Sequence, residues 1–167
     1  MSQEPKKMSQ NPSKKIAGRH AARFAAVQAL YQLSQDESLN VDRVLLQFVQ
    51  HRLNDDMDGI TLRDLDRGFF SELVRGTRTS TGDIDDILTG VLPEDWRVER
   101  LDTVLLALLR TATYELAFRE DVPAKVILNE YVEIAKGFFS GKEPKLANGA
   151  LHQIASQMRP EDIETPE

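Results

Sequence analysis

The chain has 167 residues, 41% of them apolar and 29% charged, enough to bury one continuous core shared by one domain or two small subdomains. It holds no cysteine, which excludes disulfides, thiolate zinc sites and a cysteine nucleophile and fits a reducing compartment. No apolar run approaches the roughly 18 residues a membrane span needs, and no apolar stretch follows the lysines near Met1 as in a signal peptide, so a cytoplasmic location is expected.

The net charge of −6 is unevenly spread. Residues 1–24 carry six Lys or Arg against one acid, a balance of +5 that leaves −11 on the other 143 residues. An end that meets phosphate while the body stays acidic has this asymmetry; so does a solvated basic tail. Residues 1–16, rich in Ser, Gln, Asn, Pro and Lys, read as a disordered basic arm. A helix is predicted from Ala17, with Ala22, Ala25, Ala26, Ala29, Leu30 and Leu33 at helical spacing and small enough for a neighbouring helix to come close. Arg19 and Arg23, four apart, share a face of its first turns.

A second amphipathic segment runs from Val41 to Leu53 behind Asn40 as cap. After a polar loop, Thr61 and Asp64 read as a capping box opening a third helix with Leu65, Phe69, Phe70, Leu73 and Val74 on its apolar side. Ser80 to Gly82 breaks the chain between halves. Ile84, Ile87 and Leu88 mark a short fourth helix that stops at Gly90 and Pro93. Leu101, Val104, Leu105, Leu108, Leu109, Ala112 and Leu116 form a band wide enough for a central buried helix. Pro123 opens the next helix, with Ile127, Tyr131, Ile134, Ala135 and Phe138 on one stripe. The last starts near Pro144, facing Ala147, Ala150, Leu151, Ile154, Ala155 and Met158 inward, with Gly149 read as a point of close helix packing. Residues 159–167 read as a frayed acidic tail. No sustained alternation predicts a sheet. The expected architecture is an all-α compact bundle of about seven helices, divided at 17–80 and 81–158.

Local patterns that resemble active sites do not hold up. Gly137 to Lys142 has three residues between its glycines and Glu143 after the lysine, where a phosphate loop needs four and a hydroxyl, so a helix C-terminus with a neighbouring lysine explains it. Asn54 to Gly59 begins like a calcium loop, but the twelfth position is Leu65 instead of a bidentate acid, and an acidic surface turn is the simpler reading. His20, His51 and His152 form no i, i+4 pair, so neither a metal site nor a catalytic histidine is expected. The sequence offers no enzyme chemistry and asks for no cofactor.

Two stretches carry more specific information. The first is Arg19-His20-Ala21-Ala22-Arg23-Phe24 running on to Gln28-Ala29-Leu30-Tyr31. The second joins three helices: Arg110 to Tyr114-Glu115-Leu116, Asp121-Val122-Pro123, Asn129-Glu130 through Ala135-Lys136-Gly137-Phe138, then Lys145-Leu146-Ala147-Asn148-Gly149. In order and spacing these resemble the NusB family of transcription antitermination factors, closely over 17–33 and 97–155 and mainly in helical pattern over 35–95.

That resemblance implies two three-helix subdomains, no catalytic residue and no cofactor. It implies binding of the box A element of ribosomal RNA leader transcripts together with NusE, a small-subunit ribosomal protein. In that role the protein joins the RNA polymerase antitermination complex and supports small-subunit maturation. It places RNA on Lys14, Lys15, Arg19, His20, Arg23, Gln28, Lys145, Leu146 and Asn148, and a protein partner on Tyr31 and Leu105. Arginine forks near a helix start suit phosphates, and Asn148 suits a base edge or, alternatively, a buried amide between helices. The chain departs from the family in three ways: a thinner arginine cluster at 19–23, Leu146 where an aromatic is usual, and Leu105 where relatives often carry a charge. A homodimer through the RNA-facing surface, a protein-binding scaffold without RNA affinity, and kinship to the RNA-binding domain of ribosomal RNA cytosine methyltransferases remain as alternatives.

Overall fold

The computed structural model of the chain describes residues 12–51, 56–57, 60–61 and 64–163. Its helices are α1 (Pro12–Gln35), α2 (Val41–His51), α3 (Arg67–Thr79), α4 (Thr81–Val91), α5 (Thr103–Phe118), α6 (Ala124–Phe138), α7 (Glu143–Met158) and the four-residue α8 (Pro160–Ile163). Two 3₁₀ turns, Glu94–Trp96 and Val98–Arg100, bridge α4 to α5. One two-residue antiparallel ladder, Asp56↔Thr61 and Met57↔Ile60, lies between α2 and α3 and leaves the all-α class unchanged.

Two helices organise the bundle. Helix α1 packs against α2, α3, α5 and α6, and α5 packs against α1, α3, α4, α6 and α7. In α1 the small residues do what their spacing predicts: Ala21, Ala22, Ala25, Ala26 and Ala29 are fully buried, so neighbouring backbones approach closely. Every residue of α5 from Ala107 to Leu116 except Arg110 is buried. Thr111 and Thr113 are tolerated there because each hydroxyl donates to the carbonyl four residues back, Ala107 and Leu109, at 2.7 Å.

Two helix starts and one point of close packing differ from expectation. Helix α1 starts at Pro12, five residues before Ala17, with a proline whose missing N–H costs nothing in a first turn. Helix α3 starts at Arg67, not at Thr61, because Asp66 accepts from the Phe69 N–H at 3.0 Å and caps it there. That segment is pinned to α1: the Asp66 N–H donates to the Gly18 carbonyl at 3.1 Å, and a Cβ on Gly18 would lie 2.9 Å from the Asp64 carbonyl oxygen. Close packing falls on Gly76, where a Cβ would meet the Tyr114 ring at 2.4 Å, and not on Gly149, which has nothing within 4 Å.

The tail from 159 is also docked. Arg159 is 7% exposed and its guanidinium donates to the carbonyls of Leu116 (3.0 Å), Glu115 (3.1 Å), Arg119 (2.7 Å) and Val122. Of these, Leu116 is an orphan carbonyl of the last turn of α5, whereas Glu115 also accepts from the Arg119 N–H. Asp162, in α8, accepts from the Ala124 N–H at 3.1 Å at the start of α6.

Candidate nucleic-acid interface

Helix α1 contains Lys14, Lys15, Arg19 and Arg23 and no acid among its 24 residues. Its rotation sorts these cations by depth. Lys14 and Lys15 are exposed, Lys14 lying 3.9 Å from Asp64. Arg19 is 28% exposed; its guanidinium sits 4.9 Å from the centre of the Phe69 ring and its Nε 4.0 Å from Asp66, with no hydrogen-bond partner at that nitrogen among the described residues.

Arg23, one turn on, points inward and is 3% exposed. Its Nε and Nη2 donate to the two oxygens of Glu115, both at 2.8 Å, and its Nη1 reaches Glu130 at 3.2 Å. Glu115 is fully buried, and the Tyr131 hydroxyl donates to it at 2.8 Å. Burial alone would favour the neutral guanidine, but the fork on Glu115 outweighs it and raises the Arg23 pKa. Burial also pushes the Tyr131 phenol well up. Glu130, desolvated by its surroundings yet bonded to His20 and Arg23, is held below the usual glutamate range. Arg23 is therefore a structural ion-pair residue, and the expectation that it grips phosphate is corrected.

His20 faces the same network, with Nδ1 2.6 Å from Glu130. Sequence reasoning missed Phe69, whose ring has the guanidiniums of Arg19, Arg23 and Arg119 within 4.9, 5.0 and 5.1 Å of its centre. Arg119 is anchored by Asp121 at 2.9 Å and Glu72 at 2.7 Å, and it holds the Asp121 carboxyl at about 2. Phe69 has ordinary core spacing, so nothing local marks it as the hub of three cations.

The second group lies where α6 turns into α7. Lys145 and Asn148, exposed and three residues apart, share one side of α7. With Lys136, Phe139, Ser140 and Pro144 they line an open recess of about 530 Å³. Exposure rules out the buried-amide reading of Asn148. Leu146 is half-buried against the core and does not line the recess. This elbow's helix is tied to α1 by His20 and Arg23, both on Glu130, and by Phe24 stacked on Phe138 with centroids 5.3 Å apart and planes 8° from parallel. Gln28 and Tyr31, further along α1, are half-buried. Leu105 is fully buried, so it presents no surface; its apolar side chain repacks the core, and the expected partner contact there is corrected.

Among the described residues no cluster of His, Asp or Glu could hold a metal, and no helix is long and apolar enough to cross a membrane. His152 is exposed. The segment 54–59, read as an acidic turn, lies mostly outside the described residues.

The NusB family profile matches residues 20–156, most of the chain. The chain belongs to the NusB family. The transcription antitermination protein NusB of Caulobacter vibrioides is 46% identical over 145 residues, covering 87% of this chain and 97% of that protein. The protein of that name from Sinorhizobium medicae is 42% identical over 153 residues, covering 92% and 95%. Among solved structures, NusB of T. maritima superposes with a TM-score of 0.72 at 28% identity, covering 88% of this chain and 97% of that one. A chain from a crystal structure of a plectonemic RNA supercoil, at TM-score 0.69 and 22% identity over 83% of this chain and 94% of that one, shares the fold. NusB relatives are antitermination factors, not enzymes.

Proposed function

We propose that this NusB-family chain is a transcription antitermination factor that holds a single-stranded transcript segment, box A of ribosomal RNA leaders, with NusE as protein partner. The observation that carries the reading is the acid-free helix α1, whose exposed Lys14 and Lys15 and half-exposed Arg19 face water on a chain of net charge −6. A second hold comes from the elbow, where Lys145 meets phosphate and Asn148 reaches a base edge. Gln28, further along α1, lines the strand's path, His20 is held toward Glu130, and Tyr31 borders the partner's contact. Leu146 contributes packing only, so the stacking an aromatic would supply there, roughly 1–3 kcal/mol per base, is missing.

The test is an RNA titration by fluorescence anisotropy at increasing salt, with and without NusE. Replacing Lys14, Lys15 and Arg19 together by alanine removes up to three phosphate contacts, so the log–log salt slope should fall by about 2. Arg23 is left intact because its loss would strand the buried Glu115 carboxylate and destabilise the fold. An unchanged slope would leave the chain a helical scaffold without an RNA site on α1.

A further inference from the structure

Away from the cations discussed so far, the C-terminal ends of α1 and α3 meet the first turns of α4 and α5 around a recess of about 320 Å³. Its apolar lining comes from Leu30, Leu106 and Ala107, and its polar lining includes Thr77, Arg78 and Arg110. Thr77 is 1% exposed, yet among the described residues its hydroxyl has no hydrogen-bond partner. A buried hydroxyl is ordinarily satisfied, and a threonine inside a helix usually donates to the carbonyl four residues back, as Thr81 beside it does at 2.8 Å. Arg78 is exposed, and among the described residues no acid lies within ion-pair distance of it. Arg110 spends Nε and Nη2 on Asp85, at 2.8 and 2.7 Å, which leaves Nη1 as a spare donor.

We infer that this recess is an anchor for an acidic side chain, a glutamate, presented by a protein partner: the methylenes lie on Leu30, Leu106 and Ala107, and the carboxylate takes Arg78, Nη1 of Arg110 and the Thr77 hydroxyl. The inference deepens the protein-partner half of the function proposed above and rests on it. It moves the partner contact from Leu105, which is buried, to its neighbour Leu106, and it keeps the contact beside Tyr31. A carboxylate fits better than a phosphate because Asp85 already neutralises Arg110, so the recess carries one uncompensated positive charge, and because much of its wall is apolar.

The experiment uses the full chain labelled with ¹⁵N and three probes: the peptide acetyl-Ala-Glu-Ala-amide, its glutamine counterpart, and inorganic phosphate. Amide shifts at Ser34, Thr77, Thr81 and Thr103 should saturate with the glutamate peptide, about tenfold more tightly than with the glutamine peptide. Arg78→Gln should abolish that preference. Thr77→Val, which removes a hydroxyl unpartnered in the free chain, should leave Tm unchanged or higher while weakening the peptide. Equal response to both peptides, or no shifts around the recess, overturns the anchor. So does phosphate binding that the glutamate peptide cannot displace, which would make the recess an RNA-phosphate contact. None of these readouts involves RNA or the α1 lysines, so failure here and failure of the RNA site are told apart.

Discussion

The underside of α1 and the elbow between α6 and α7 both take cations from sequence positions that resemble one family's binding motif, yet water reaches only the elbow. Arg23 is sealed against Glu115 with every nitrogen of its guanidinium bonded, while Lys145 stands exposed one turn into α7. A buried ion pair fixes geometry and is closed to a ligand by its burial; an exposed lysine contributes little to stability and is available for phosphate. The opening cluster of α1 therefore divides into a structural part, Arg23 with His20 turned toward Glu130, and a part that can meet a partner, Lys14, Lys15 and Arg19.

The sharpest way to break this comparison is Arg23→Ala. It leaves the carboxylate of Glu115, fully buried, facing only the Tyr131 hydroxyl, and it should cost about 3–5 kcal/mol in urea unfolding. Arg23→Lys should recover only part of this, because an ammonium cannot make the two-pronged contact. Lys145→Ala, by contrast, should stay within about 0.5 kcal/mol of the parent while weakening RNA. A stability loss at Lys145 as large as at Arg23 would sink the division.

Arg159→Ala comes next in size. It strands the carbonyls of Leu116 at the end of α5 and of Val122 in the loop before α6, and should cost about 2–3 kcal/mol. The same change should raise amide exchange from Arg119 to Val122, since Arg159 donates to the carbonyls of both residues.

The Glu130 prediction is smaller and has a sign. Its carboxyl is depressed in the folded chain, since the bonds to His20 and Arg23 outweigh desolvation, so it adds stability above the unfolded glutamate value. That contribution is present above pH about 4.3 and is lost as pH falls through the lower folded value. Urea midpoints measured down the acid range should fall less steeply for Glu130→Gln than for the parent. Parallel curves would mean that the His20–Glu130–Arg23 network carries no linkage to folding.

Helices α1 to α7 were legible in the sequence because each has enough apolar periodicity to decide its own state. The long buried run of α5 and the alanine face of α1 needed no tertiary information. What stayed hidden was set by partners distant in the chain. Thr61 and Asp64 satisfy a local capping pattern, but the cap falls on Asp66, whose backbone is bonded to Gly18. Arg19 and Arg23 are equivalent by spacing, and only the packing of α1 on α5 and α6 turns one in and leaves the other half out. The tail from Arg159 reads as acidic and frayed because its anchoring carbonyls lie about forty positions earlier. At the site, the exposed lysines and Asn148 were legible from motif and charge, whereas Phe69 and the unpartnered Thr77 were not, since a ring's neighbours and a missing hydrogen bond leave no trace in spacing.

The smallest predicted effect bears on the elbow itself. Gly149 is exposed within α7, and a Cβ there would meet nothing within 4 Å, so the free chain draws no packing benefit from glycine. Gly149→Ala should therefore stabilise by about 0.5–1 kcal/mol, since alanine restricts the unfolded chain and suits a helix. What glycine offers instead is a bare backbone beside Asn148, where a strand held by that side chain can lie close. If transcript sits on this side of α7, the alanine variant should melt higher yet bind RNA more weakly. A higher melting temperature with unchanged RNA affinity would place the strand elsewhere and leave Lys145 as a solvated charge like any other.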